Sequence, residues 1–210
     1  MYSSRPNLML GFHGCDESVR NELIRNPDNV KKSQEVYDWL GNGFYVWENN
    51  YDRALNWAKD KKDRNKVDVP SVVGVVYHLD YCLDFTDSAF TEVLVDYYNL
   101  MKKDFFLAGK TLPTNKDLPH DEFHDKILRE LDCAVIEYLH QRIDEKIKKD
   151  LASQNFSELK PFDTVRGIFT EGGPAFDGAG IQLKNHIQIC IRNLNCIKGF
   201  FIPRSKLKFK

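Results

Sequence analysis

The sequence predicts an α+β fold with mostly antiparallel strands and a helical insertion. Two observations carry this. Short runs rich in β-branched and aromatic residues gather in two groups, one before residue 80 and one after residue 164. Between them, from about 87 to 150, apolar residues recur at helical spacing instead. At 210 residues the chain has the length of one large domain, 1–210, carrying that insertion.

Asn7 to His13 reads as the first strand and ends in Gly-Phe-His-Gly-Cys, with Gly11 and Gly14 close about His13. Asp16 is placed to cap a helix carrying Val19, Leu23 and Ile24, which Pro27 ends. A polar loop, 28–38, follows. Gly41-Asn42-Gly43 is a turn in which the glycines permit positive φ or close approach of a ligand. Phe44 to Trp47 reads as a strand, and Asn49 or Asn50 caps a helix whose packed side holds Ala54, Leu55 and Ala58, with Trp57 beside it. Tyr45, Trp47 and Trp57 thus lie near a glycine turn, where a flat ligand could stack; taken alone, the cluster reads as core packing.

The charged run from Lys59 to Lys66 mixes signs and reads as a solvated face. Ser71 to Leu79 is apolar enough for a strand buried on both faces. In the insertion, Val93, Leu94, Tyr97, Tyr98 and Met101 mark one helix. A second runs from Phe123 through Ile127, Leu131, Val135 and Leu139 to a lysine-rich end, the pair covering part of the core or a sheet edge. Val165 to Thr170 is the next strand. Glu171 to Gly180 is a glycine-rich loop, mobile by composition. In His186 to Asn193, Ile187, Ile189 and Ile191 face the core and His186, Gln188, Cys190 and Arg192 face the other way. That polar face needs partners or a cleft. Ile197 to Pro203 is the last strand.

Composition narrows the function classes. A net charge of −1 supplies no whole-chain field for nucleic acid, although a local basic patch would suffice. The first residues lack an apolar signal core, and no stretch reaches membrane-spanning length. The five cysteines are odd in number and form no Cys-x-x-Cys pair, which reads as reduced thiols in a cytoplasmic protein without a metal site.

Three pieces, in order, carry a resemblance: His13-Gly14 at a strand end, Gly41-Asn42-Gly43-Phe44-Tyr45 leading into the helix Arg53-Ala54-Leu55-Asn56-Trp57-Ala58, and Gln188 on a late strand. Together they resemble the His-Tyr-Glu branch of the ADP-ribosyltransferase superfamily, which contains poly(ADP-ribose) polymerases and diphtheria-like toxins. The run from His186 to Asn193 is also similar to that of a group of bacterial proteins. The resemblance covers the motifs and not the insertion. It implies a split antiparallel β-sandwich around an NAD cleft, with NAD as co-substrate. It implies that His13 bonds the adenosine-side ribose, that the backbone of Gly14 clamps the carboxamide beside the Gly43 turn, and that Tyr45 and Trp57 sandwich the nicotinamide ring. Each residue type suits its role. The serine usual before the alanine of that helix is replaced by Arg53 or an Asn.

Position 188 departs from the pattern. The branch uses a Glu there to hold a ribose hydroxyl and stabilise the positive sugar centre as nicotinamide leaves; Gln keeps the hydrogen bond without the charge, a loss of about 10²- to 10³-fold for such a group. Either Gln188 positions and another acid contributes, with Glu171 or Glu48 as candidates, or the protein binds NAD or ADP-ribose without catalysis, or His186 and Gln188 merely satisfy buried polar neighbours. The acceptor side is expected at Glu171, the loop 172–187, His186 and Arg192, the arginine pairing a phosphate of NAD or nucleic acid. The resemblance thus implies a mono-ADP-ribosyltransferase, of toxin or defence-effector type, with catalytic His13, Tyr45 and Gln188. Its partners are a protein or nucleic-acid acceptor, or water, and an inhibitory, antitoxin-like protein.

Overall fold

A computed structural model describes residues 8–119 and 121–204. The first residue of the predicted opening strand, Asn7, and the basic tail past Arg204 lie outside the described residues. The described residues form a mixed α+β fold with a seven-stranded sheet and four α-helices. The elements are β1 (Met9–Asp16), α1 (Glu17–Arg25), β2 (Phe44–Glu48), α2 (Tyr51–Asp63), β3 (Pro70–Tyr77), β4 (Cys82–Asp84), α3 (Ser88–Leu107), β5 (Asn115–Lys116), β6 (Leu128–Arg129), α4 (Glu130–Gln154), β7 (Thr164–Phe169), β8 (His186–Ile191) and β9 (Ile197–Phe201). The sheet order is β4-β7-β8-β2-β1-β3-β9, with only β4–β7 parallel; β5 and β6 form a separate two-stranded ladder.

The two separate sheets expected from the resemblance are here one hydrogen-bonded sheet. Its middle is nonetheless thin. β1 and β3 pair over eight positions and β7 and β8 over six, whereas β1 and β2 pair only at Gly11↔Glu48 and Phe12↔Trp47. Continued two residues further, that ladder would set Gly14 opposite Tyr45. Instead the His13 side chain bonds the Tyr45 carbonyl, Nδ1 to O at 2.7 Å. The Gly14 position is already crowded by α2: a Cβ there would stand 2.0 Å from the Ala54 carbonyl oxygen. The glycine lets the helix lie directly on β1, and Ala54 and Ala58 are fully buried against it.

Local signals explain most boundaries. Asp16 caps α1 through Ser18 N–H and also accepts from Asp68 and Val69 N–H, bonds that hold its carboxyl well below the usual carboxylate range. Asn50, not Asn49, caps α2. Alternation on β8 divides the core: Ile189 and Ile191 join Val46, Val73, Val75 and Tyr77 on one face, and Cys190 joins Leu40, Leu139 and Val165 on the other. α4 covers this second face. It begins at Glu130, seven residues later than its apolar spacing predicts, because His124 and Lys126 take positive φ (55° and 50°) and hold 123–127 out of the helix. β4, three residues long, gives no periodic signal at all.

Candidate functional site

One cavity opens beside the short β1–β2 ladder. It is lined by His13 from β1, Gly43, Phe44, Tyr45 and Trp47 from the turn and β2, Arg53, Trp57, Lys61 and Arg64 along α2, and Gln188 from β8. Lys31, Lys32, Ser33, Tyr37, Asp38 and Trp39 close it from the 28–38 loop, and Ile127 and Leu128 from the approach to α4. The cavity's volume is about 280 Å³, at the small end of the range of clefts that bind small molecules, roughly 300–1,000 Å³. The sequence-predicted residues His13, Gly43, Tyr45, Trp57 and Gln188 therefore meet in one place.

Burial and hydrogen bonds set their chemistry. A carbonyl only accepts, so His13 donates from Nδ1 to Tyr45 and keeps Nε2 as an acceptor. Burial lowers its pKa to about 4, so the ring is neutral at pH 7; it stacks on Phe44 at 4.5 Å. The Tyr45 hydroxyl donates to the Gly41 carbonyl (2.6 Å) and accepts from Leu40 N–H (2.8 Å), and burial raises its pKa. Tyr45 thus offers a ring and not a titrating phenol. Trp57 lies 6.0 Å from Trp47 and carries Lys61 and Arg64 over its ring at 5.6 and 5.2 Å. Gln188 sits directly across the ladder from Trp47 and is 7% exposed.

Gly14 does not line the cavity. Its peptide groups nonetheless turn to the β2 side of the strand. Leu10, an even residue of the unbroken β1 ladder, gives its carbonyl to Asn49 on the β2 side. Peptide groups alternate along a strand, so those of Gly14 point the same way, where the ladder has ended.

Other sequence-predicted residues stand outside the cavity lining. Arg192 lines no part of this cavity. It forks onto Glu137 of α4 through Nη1 and Nη2 and donates to the Asn42 carbonyl at 3.0 Å, pinning the Gly41–Gly43 turn. Glu48 lies on the opposite sheet face, held by Arg166 through Nε (2.7 Å) and Nη2 (3.1 Å). Glu171 is buried behind Arg53, bonded to its Nη2 at 2.6 Å. His186 is buried beside them, donating from Nδ1 to the Lys184 carbonyl, stacked on Phe169, with its pKa lowered to about 4 by burial. The 171–184 loop is tied as a hairpin by Ala175 N–H to Ile181 O, Leu183 N–H to Gly173 O and Lys184 N–H to Glu171 O. Cys190 is a fully buried packing residue with its pKa pushed up.

Sequence reasoning missed the cations and the acid of the wall. Lys61 and Arg64 belong to the run read as solvated. Lys31, Lys32 and Asp38 belong to a loop without periodicity. Asp38 is the one carboxylate among the described lining residues; it accepts from Ser33 Oγ (3.0 Å) and Glu35 N–H (2.9 Å), and burial raises its pKa. Five lysines and arginines against one aspartate make this an anion-attracting cleft with aromatic walls.

The described residues contain no disulfide, no group of three or more metal-ligating side chains and no helix long and apolar enough to cross a membrane. No protein family, curated protein or solved structure matches the chain.

Proposed function

We propose that the chain is a mono-ADP-ribosyltransferase that binds NAD in this cavity, cleaves the nicotinamide–ribose bond and passes ADP-ribose to a protein or nucleic-acid acceptor. The observation that carries this is the convergence of His13, Tyr45, Trp57 and Gln188, from four separate elements, on one cationic, aromatic cleft. In this reading Nε2 of His13 accepts from a ribose hydroxyl, and the Gly14 peptide faces the carboxamide. Tyr45 and Trp57 hold the ring, while the lysines and arginines attract the pyrophosphate. The early end of the β1–β2 ladder, after two residue pairs, supports this reading by leaving room for the cavity beside it.

Gln188 positions a ribose hydroxyl. The negative charge it lacks comes from Asp38, whose carboxylate lines the same cavity and takes the place given above to Glu171 or Glu48. Ion pairing with Arg166 disqualifies Glu48, and Glu171 lies behind a guanidinium. The alternative, a module that binds NAD or ADP-ribose without turnover, is favoured by the same absence of an acid at 188. Labelled NAD incubated with the protein and cell lysate decides between them. Transfer of label with nicotinamide release, abolished in Gln188→Ala, is the expected result. Thermal stabilisation by NAD with no release from any lysate would replace the enzyme with the binding module.

A further inference from the structure

A second cavity, about 390 Å³ in volume, lies on α4 where Arg192 meets the helix, and it shares no lining residue with the first. Its size falls within the roughly 300–1,000 Å³ of small-molecule clefts. Glu137, His140, Asp144 and Lys148 line it at helical spacing, in one row along α4. Glu137 is satisfied by Arg192 and Asn42, and Glu145 beside the row by Gln141 (2.9 Å) and Arg142 (3.1 Å). The other three members of the row are not satisfied. His140 is 6% exposed, and its Nδ1 donates to the Ile136 carbonyl at 2.7 Å. That bond leaves Nε2 on the other edge of the ring, a lone pair buried without a partner. Burial lowers the pKa to about 4, so the ring is neutral at pH 7 and Nε2 only accepts. Asp144 and Lys148 are exposed, and neither has a hydrogen bond or ion pair among the described residues.

We infer that this cavity binds a small zwitterion of the amino-acid type, its ammonium held by His140 Nε2 and Asp144 and its carboxylate by Lys148. The open groups are a neutral acceptor, a carboxylate and an ammonium. An occupant that completes all three carries N–H donors and positive charge at one end and negative charge at the other. A simple cation would satisfy His140 and Asp144 but face Lys148 as a like charge. A simple anion would reach Lys148 but meet Asp144, and it has no proton to give Nε2. Successive members of the row stand about 5–6 Å apart at Cβ, close enough for one small molecule to touch all three. A buried lone pair left unpaired is destabilising, so the ligand supplies what the fold withholds from His140. The site is independent of the proposed transfer reaction and is tested without any dinucleotide.

Calorimetry of the full chain against each of the standard amino acids at neutral pH is the test. At least one binds, and its methyl ester and its N-acetyl form, each lacking one of the two charges, bind about tenfold or more weakly. Asp144→Asn and Lys148→Met sit at exposed positions, keep the fold by thermal unfolding, and each weaken binding by about three- to tenfold. His140→Phe fills the same space without the lone pair and weakens it by about tenfold or more. Where that variant does not fold, the nitrogen-15 chemical shift of His140 Nε2 in the unaltered protein replaces it: the resonance moves upfield as the nitrogen accepts a hydrogen bond from the amino acid. No binding by any of the amino acids would overturn the inference. Binding that the α4 variants leave unchanged would overturn it as well, since the ligand would then sit elsewhere. Equal binding of the ester or the N-acetyl form would remove the zwitterion as the ligand class.

Discussion

Arg192 and Arg53 each pair with a glutamate on the sheet face that bears Gln188, and the two pairs are built differently. Arg192 meets Glu137 with both prongs, and the same glutamate accepts from Asn42 N–H (2.7 Å) and Nδ2 (3.0 Å). The guanidinium adds a bond to the Asn42 carbonyl. This pair staples α4 to the Gly41–Gly43 turn, where Gly41 has φ +76° and a Cβ would stand 2.3 Å from Glu137 Oε1. Arg53 and Glu171 share one bond and leave an atom unpartnered on each side. Two arginine–glutamate pairs on one sheet face thus serve opposite ends: a saturated pair fixes the fold, and an unsaturated one on a cavity wall stays available to a ligand.

Acidification should strain both regions, and it carries the largest expected effect. His140 lies beside Arg192 and His186 beside Arg53, and burial lowers each pKa from 6.5 to about 4. The unfolded chain binds these protons first as pH falls. Their contribution is therefore complete above about pH 6.5 and disappears as pH drops through about 4, at up to roughly 3 kcal/mol per histidine. Urea unfolding at pH 7 and pH 4.5 should show the loss, and His140→Phe and His186→Phe should each remove its share. An unchanged acid response in His186→Phe would mean that the Arg53 side is open to water, which would break the likeness in burial.

Removing one partner of the saturated pair comes next. Glu137→Ala strips Arg192 of its carboxylate and the turn of two acceptors, at about 2–3 kcal/mol for a partly buried pair. The neutral double variant Arg53→Gln/Glu171→Gln should stay within about 1 kcal/mol of the parent. Chemical denaturation compares them directly. Equal losses would make both pairs structural.

The face of β8 was legible in the sequence, because alternation places side chains without knowledge of neighbours. The destinations of those side chains were not. Arg192 was expected at a phosphate because it shares a face with Gln188, but four residues along a strand carried it past the cavity to α4. The His13, Tyr45 and Trp57 positions were readable because glycines, a cap and a short aromatic strand fixed them locally. Lys31, Lys32 and Asp38 were not, since a loop held by Ser33–Gly43 backbone bonds and a Ser33–Asp38 contact has no period to read. The charged run of α2 was taken as solvated because its charges mix; the helical turn nonetheless brings Lys61 and Arg64 back over Trp57. The seven-residue error at the start of α4 came from Phe123 and Ile127, which stand at helical spacing while His124 and Lys126 between them take left-handed φ.

Within the proposed reaction, Asp38 sharpens the comparison from the acidic side. Asp38→Asn should slow nicotinamide release by about 10- to 100-fold, less than an oxyanion-hole donor at the upper end of its range. The parent rate should fall with acid as Asp38 protonates, through a pKa that burial has raised. The Asn variant should lose that limb of the pH profile. Because Asp38 also holds Ser33 and Glu35 in the loop, the profile is the decisive readout; a rate loss with an unchanged profile would assign Asp38 to loop structure alone.

The smallest effect belongs to the rim. Lys32 lines the cavity from an exposed loop position. Lys32→Ala should weaken NAD or phosphate binding only two- to fivefold or so in dilute buffer, as suits a solvated charge that steers more than it holds. Salt separates it from Arg53. Screening shortens from about 10 Å at 0.1 M to about 3 Å at 1 M ionic strength, so the Lys32 contribution should vanish at high salt. Arg53, only 8% exposed, should keep most of its contribution there. Affinities of the Lys32 and Arg53/Glu171 variants at both salt concentrations measure this. If the two lost affinity in parallel as salt rose, Arg53 would be one more surface cation, and its unsatisfied pairing would carry no functional meaning.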